Sequence, residues 1–224
     1  MTTILTIDTC TDLSTLGVVR DGVVLGESAF PSRYTLAARL LARLEWLLGE
    51  CGVTRGDVAA IALSLGPGSF TGVRIGAAAA KTLAQWLPVT LVGVPTLEAL
   101  AYPYRDFRDA LLVPIINARR QQAYCALFRG EFGALQRQTP DLVLGADGFD
   151  DLLAQHTAGV AHTVLIGLTD GLPAPFLHAP GAPQPLRSTV TPHALAALAA
   201  DRLARGDHDD PLTLVPIYLR SAAE

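Results

Sequence analysis

The stretch Gly66-Pro67-Gly68-Ser69-Phe70-Thr71-Gly72-Val73-Arg74-Ile75-Gly76 decides the fold of this chain. The apolar run before it, Ala60-Ile61-Ala62-Leu63-Ser64-Leu65, has the length and sharp bounds of a buried strand. After it come Ala77-Ala78-Ala79-Ala80-Lys81-Thr82-Leu83-Ala84-Gln85-Trp86-Leu87, strong helix formers stopped by Pro88. The stretch is therefore a strand-to-helix turn. Glycine lets a backbone take positive φ or be approached closely, and either role is open to Gly68. Pro67 fixes one φ between two glycines, and Ser69 or Thr71 is placed to cap the first helical amides.

Free amides at a helix start attract anions, but the details here argue against a phosphate loop. The G-x-x-x-x-G-K-[ST] pattern needs its lysine, and Gly72 is followed by Val73 and Arg74. The G-x-G-x-x-G fingerprint fails at its third position, where Thr71 stands, and a G-x-S-x-G elbow is absent because Pro67 and Thr71 flank Ser69. A structural or interface role is the better reading of the turn.

The 224 residues hold one large or two small domains. Half the residues are apolar and only 17% charged, which implies extensive burial or a surface covered by a partner. No apolar run reaches membrane-spanning length, and the Met1-Thr2-Thr3-Ile4-Leu5 start lacks a charged region before a long apolar one, so a soluble, unexported, cytoplasmic protein is expected. Cys10, Cys51 and Cys125 are odd in number and widely spaced, suggesting neither a disulfide framework nor a zinc knuckle. A net charge of −4 is unlike that of a stand-alone nucleic-acid binder. If RNA is involved, another subunit should carry most of the phosphate contacts.

In chain order, strands are expected at Thr3 to Asp8, Leu13 to Arg20 and Val23 to Ala29, the last two joined by the hairpin signal Asp21-Gly22. Leu36 to Cys51 reads as a helix with Leu36, Leu40, Leu44, Leu47, Leu48 and Cys51 on one side, and with Trp46 among Arg39, Arg43 and Glu50 on the other. The helix after the glycine turn is apolar or small on most of its perimeter, apart from Arg74, Lys81 and Gln85, so more than one surface must cover it. Leu91 to Val94 is a strand, and Thr96 is placed to cap a helix from Leu97 to Ala101. A second unit has strands at Leu111 to Ile116, Ala123 to Phe128, Ala134 to Gln138 and Val164 to Gly167, with a helix at Phe149 to Gln155. Irregular chain is expected from Gly171 to Pro192, then a helix to about Arg205 opened by Thr191-Pro192. The expected division is a first domain over 1–102 and a smaller second over 103–224, with the helix at 191–205 packing back toward the first.

Ile7-Asp8-Thr9, the uninterrupted Gly66 to Gly76 block, Ala118-Arg119 with Tyr124, and the closing Pro216-x-Tyr218-Leu219-Arg220 occur in order over nearly the whole chain. Together they resemble the TsaB (YeaZ) family of bacterial tRNA threonylcarbamoyladenosine biosynthesis proteins. The resemblance implies an α/β protein of the actin/sugar-kinase/Hsp70-like (ASKHA) fold, with two ribonuclease-H-like domains and mixed sheets. It also implies a non-catalytic, obligatory subunit of a complex that moves a threonylcarbamoyl group onto N6 of the adenosine 3′ of the anticodon in tRNAs reading codons that begin with A. Its partners would be a TsaD-like catalytic subunit and a TsaE-like ATPase, with tRNA reached indirectly, and a second copy of itself when TsaD is absent. On this reading Gly66, Pro67, Gly68, Ser69, Phe70, Thr71, Gly72, Arg74, Gly76 and Trp46 form the structural turn and interface, while Asp8, Thr9 and Cys10 are the remnant of a nucleotide loop.

The residues agree that catalytic groups are missing. A zinc-type site needs histidines one helical turn apart, and His156, His162, His178, His193 and His208 do not have that spacing, so no metal and no cofactor are expected. Nucleotide-binding members of the superfamily carry Asp-x-Gly after the first strand; here Cys10 holds the glycine position, and its Cβ should crowd a phosphate. Asp8 also reads as an aspartate capping the adjacent turn. Tyr34 and Asn117 stand where relatives carry His and Asp, each removing a titratable group. The competing reading is a small ATP-binding kinase or ATPase of the same fold, which lacks Asp-x-Gly. A peptidase lacks a triad or metal signature.

Overall fold

The structure, a computed structural model, describes residues 1–32, 35–168, 171–177 and 185–219. The chain forms two compact units, Met1–Ala99 with Val190–Ile217, and Leu100–Thr189 with the segment from Tyr218. The first unit carries the glycine turn. Its strands are β1 (Thr3–Asp8), β2 (Leu13–Arg20), β3 (Val23–Pro31), β4 (Val58–Ser64) and β5 (Thr90–Val94), in the sheet order β3-β2-β1-β4-β5. Asp21 and Gly22, at φ +48° and +81°, close the β2–β3 hairpin in the left-handed turn that matches strand twist. The pairs β1/β4 and β4/β5 are parallel, so each needs a crossover, supplied by α1 (Leu36–Glu50) and α2 (Phe70–Trp86).

The two faces of this sheet follow the period of two along its strands. Leu5, Ile7, Leu16, Ile61 and Leu63 join Leu36, Leu40, Leu44 and Leu47 of α1 and Ala77 and Ala80 of α2 in one core cluster. Leu48 and Cys51, expected on the same helix face, pack half-buried at its margin. The alternate residues Thr6, Thr15 and Gly17 meet the last helix of the unit, α6 (Pro192–Ala204). Thr15 donates to the Val190 carbonyl at 2.8 Å, and a Cβ on Gly17 would lie 2.3 Å from Cβ of Pro192. Thr191 caps α6 by accepting from the Ala194 amide, with Pro192 in the first turn as its sequence predicts.

The observed units differ from a division at residue 102, because residues 190–217 are built into the first unit. Arg202 donates to Asp207, to Asp209 and to the Gly93 carbonyl, and Asp209 accepts from the Gly93 amide at 2.7 Å while its own amide donates to the Leu91 carbonyl. This covers the outer edge of β5, an edge that would otherwise expose unpaired backbone groups. Further on, the Ile217 amide donates to the Leu65 carbonyl at 2.8 Å.

The second unit centres on β6 (Ala110–Arg119), with β7 (Gln122–Cys125), β8 (Phe128–Glu131), β9 (Ala134–Arg137), β10 (Leu142–Leu144) and β11 (His162–Ile166). Its sheet order is β10-β7-β6-β8-β9, with β11 parallel to the first half of β6. The single strand expected over Ala123 to Phe128 is two, because β7 pairs with the end of β6 and with β10 whereas β8 pairs with the start of β6 and with β9. Helix α4 (Ala146–His156) covers this sheet with Phe149, whose ring lies 5.2 Å from Phe176 of α5 (Ala174–Leu177), a short turn within the segment expected to be irregular. Helix α3 (Thr96–Ala101) follows β5 in the chain.

Candidate functional site

In α/β sheets, ligands bind in the crevice beyond the carboxyl ends of adjacent parallel strands. In the first unit that place lies between the ends of β1 and β4, and the chain's own backbone fills it. The Ser69 amide donates to the Cys10 carbonyl at 2.7 Å, and the Thr9 hydroxyl donates to the Gly72 carbonyl at 2.7 Å. A Cβ on Gly68 would sit 2.1 Å from the Cys10 oxygen, one on Gly72 1.9 Å from the Thr9 oxygen, and one on Gly76 2.3 Å from the Thr9 hydroxyl oxygen. Residues four apart share a helix face, so the spacing of these glycines opens a continuous track against Thr9 and Cys10. Of the two roles open to these glycines, positive φ falls to Gly66, at +98°, and close approach to Gly68.

The turn is also tied down from behind. The Gly66 amide donates to the Thr96 hydroxyl at 3.0 Å and the Thr96 amide to the Gly66 carbonyl at 2.9 Å, so this hydroxyl, expected to cap α3, holds the turn instead. Pro67 is buried. Ser69 is the N-cap of α2, accepting from the Gly72 amide at 3.3 Å, while Thr71 is exposed. With the Ser69 and Gly72 amides engaged, two donors an anion would need at this helix start are already taken.

Asp8, Thr9 and Cys10 are fully buried. Oδ1 of Asp8 accepts from the Cys10 amide at 3.2 Å, while Oδ2, like the nearby Ser64 hydroxyl, has no hydrogen-bond partner. Burial pushes the Asp8 carboxyl up to about 6, against the lowering influence of the Cys10 amide. The Cys10 thiol donates to the Ser64 carbonyl at 3.3 Å, and burial, then the Asp8 charge, push it well above its ordinary value. A thiol in that state is not a nucleophile. Ser64 is the member of this cluster that motif reading missed; its signal was a lone hydroxyl in an otherwise apolar strand.

A different surface lies on the outer side of α1 and α2. Leu40, Leu44 and Leu47 face the sheet, leaving Ala38, Leu41, Ala42 and Trp46 exposed, Leu41 at 51% and Trp46 at 55%. The Arg43 guanidinium lies over the Phe30 ring at 4.4 Å and donates to Ser28, so this arginine is committed away from Trp46. On α2, Phe70 is 45% exposed beneath the Arg74 guanidinium at 3.8 Å, and Ala78 is exposed. Lys81, expected in the polar line of α2, reaches the Leu214 carbonyl at 3.0 Å.

In the second unit the Asn117 carbonyl oxygen accepts from the Arg119 amide, and His156 bonds the Leu152 carbonyl of its own helix. Tyr34, His178 and Arg220 lie outside the described residues. Among the described residues, no group of three His, Cys, Asp or Glu side chains could hold a metal ion, and no helix is long and apolar enough to cross a membrane.

The mixed five-stranded sheet with crossover helices, followed by a second mixed sheet, is the actin/sugar-kinase/Hsp70-like fold. A family model described as TsaD, tRNA N6-adenosine threonylcarbamoyltransferase, matches residues 34–153. The Bacillus subtilis tRNA threonylcarbamoyladenosine biosynthesis protein TsaB is 37% identical over 62% of this chain and 60% of its own length. An uncharacterized Mycobacterium tuberculosis protein is 31% identical over 98% of this chain and 92% of its own. A solved Pseudomonas aeruginosa structure, described as an uncharacterized protein with similarity to peptidase YEAZ, superposes with a TM-score of 0.81 at 28% identity, covering 98% of this chain and 100% of that one. The chain belongs to the TsaB/YeaZ family, whose proteins act in threonylcarbamoyladenosine biosynthesis.

Two outcomes follow from the packing. Gly72→Ala drives a methyl into the Thr9 carbonyl and should destabilise the chain by at least about 2 kcal/mol in urea unfolding; a change within about 0.5 kcal/mol would contradict the close approach. Asp8 holds its proton to a higher pH when folded than when unfolded, so its stabilising share is present at low pH and is lost as pH rises from about 4 through about 6. Asp8→Asn should therefore remove that fall and raise stability at pH 7.5 by roughly 1–3 kcal/mol, with little gain at pH 4. A variant less stable than wild type at both pH values would show that the carboxylate charge is compensated.

Proposed function

We propose that this chain is the non-catalytic, obligatory subunit of the assembly that transfers a threonylcarbamoyl group to N6 of the adenosine 3′ of the anticodon in tRNAs reading codons that begin with A. It acts by binding a TsaD-like catalytic subunit, with a TsaE-like ATPase completing the assembly and tRNA held mainly by the partner. The observation that carries the reading is the exposed outer face of α1 and α2, with Leu41, Trp46 and small residues between them. Both helices lie within the segment that matches the TsaD family model, 34–153. A TsaD-like subunit thus has a related helix pair to present, and two such pairs can pack face to face, the small residues letting the helices approach. When that partner is absent, the same face pairs two copies of this chain.

The backbone filling at the ends of β1 and β4 supports the same reading. A phosphate held at the first strand-end turn would need the approach that Gly68 and Gly72 already occupy. The chain keeps the scaffold and offers a surface.

Tryptophan is among the residues most enriched at interface hot spots. Trp46→Ala should weaken pairing with the TsaD-like subunit of the same organism by about 1–3 kcal/mol in calorimetric titration, with the thermal melt of the isolated variant unchanged. A collapsed melt with affinity intact would make Trp46 a packing residue. No change in either would move the partner surface elsewhere.

A further inference from the structure

The β6–β7 hairpin is built against its own turn chemistry. Arg119 pairs with Gln122, leaving Arg120 and Gln121 as a two-residue loop, and Arg119, Arg120 and Gln121 have φ of +65°, +50° and +60°. Loops of this hand are ordinarily Asn-Gly or Asp-Gly, because a Cβ is disfavoured in the left-handed region. The β2–β3 hairpin of this chain obeys that rule with Asp21-Gly22. The β6–β7 tip breaks it with three consecutive residues, two of them arginines. Asn117 holds the tip in place: its side-chain oxygen accepts from the Arg119 amide at 2.8 Å and its nitrogen donates to the Gly171 carbonyl. Arg119, Arg120 and Gln121 are exposed, so tight side-chain packing does not account for the conformation. Local backbone strain concentrates at functional positions.

We propose that this tip is the chain's own contact with the phosphate backbone of the RNA substrate, with Arg120 as its principal donor beside Arg119 and Gln121. The proposal rests on the function proposed above, since the assembly is what brings RNA to this chain. A guanidinium presents a planar fork that matches phosphate oxygens, and such contacts position a nucleic acid without reading its bases. A chain of net charge −4 does not bind RNA over a broad basic face. A small braced tip is the form that one local contact takes, because a backbone already held in place loses little freedom on binding.

The test uses the assembled complex with its TsaD-like and TsaE-like subunits and unmodified tRNA, titrated by fluorescence anisotropy over a range of salt. Arg120→Glu should weaken tRNA binding about tenfold at low salt and make the log–log salt slope shallower by about one. The double variant Arg120→Asn with Gln121→Gly restores the preferred turn, so it should melt at a higher temperature than wild type and still bind tRNA several-fold more weakly. Arg108→Glu, an exposed site before the start of β6, should leave affinity unchanged. Unaltered affinity and slope in both hairpin variants would overturn the proposal. So would loss of the partner subunit from either variant, which would make the tip a protein interface. A wild-type chain that fails to enter the complex would refute the proposed function, and the hairpin contact with it, before any tRNA is added.

Discussion

The first unit depends on one backbone-to-backbone approach: the carbonyls of Thr9 and Cys10 lie against the glycines that open α2. Side chains at Gly68, Gly72 and Gly76 would push helix and turn apart, and the hydrogen bonds from the Ser69 amide to Cys10 and from the Thr9 hydroxyl to Gly72 would go with them. Those bonds fix where α2 starts. The start of α2 in turn sets which residues face the sheet and which remain outside, so a constraint in a buried turn determines the composition of an exposed face more than one helical turn away. Thr96 at the start of α3 ties Gly66 and Ile217 of the returning tail ties Leu65, which holds the turn at both places.

The same approach closes the strand-end turn of the first unit. Where a phosphate would need an open strand-end turn, the crevice holds a buried aspartate with one unpartnered oxygen, a buried thiol of raised pKa and an unpartnered serine hydroxyl. A charged group in such a place is destabilising, and that penalty persists at neutral pH because the Asp8 carboxyl titrates near 6.

Much of the first unit was legible because its signals are local. Asp21-Gly22, the leucine spacing of α1 and the strand-turn-helix around Gly66 to Gly76 each depend on neighbours in sequence, and each is found where expected. What could not be read depended on distant partners. The three residues of β10 have no pattern of their own and form a strand only by pairing with β7. The break between β7 and β8 appears only when their different neighbours along β6 are known. The return of residues 190–217 to the first unit is made by Arg202, Asp209 and Ile217 reaching chain that lies more than one hundred residues away. At the site, the glycines could be recognised as necessary, but whether each served φ or proximity depended on where Cys10 lay. Trp46 shows the same limit, since the helix wheel placed it on the outer face without showing that Arg43 would turn to Phe30.

On the proposed function, the closed strand-end turn and the exposed helix face make this chain a required subunit with no catalysis of its own. The most direct measurement is formation of threonylcarbamoyladenosine in tRNA by a reconstituted mixture of the TsaD-like and TsaE-like proteins of the same organism and the threonylcarbamoyl adenylate, with and without this chain, beside ATP turnover by the chain alone. The account predicts modification only when the chain is present and no ATP hydrolysis by the chain in isolation. Modification at full rate in its absence, or steady ATP turnover by the purified chain, would contradict it.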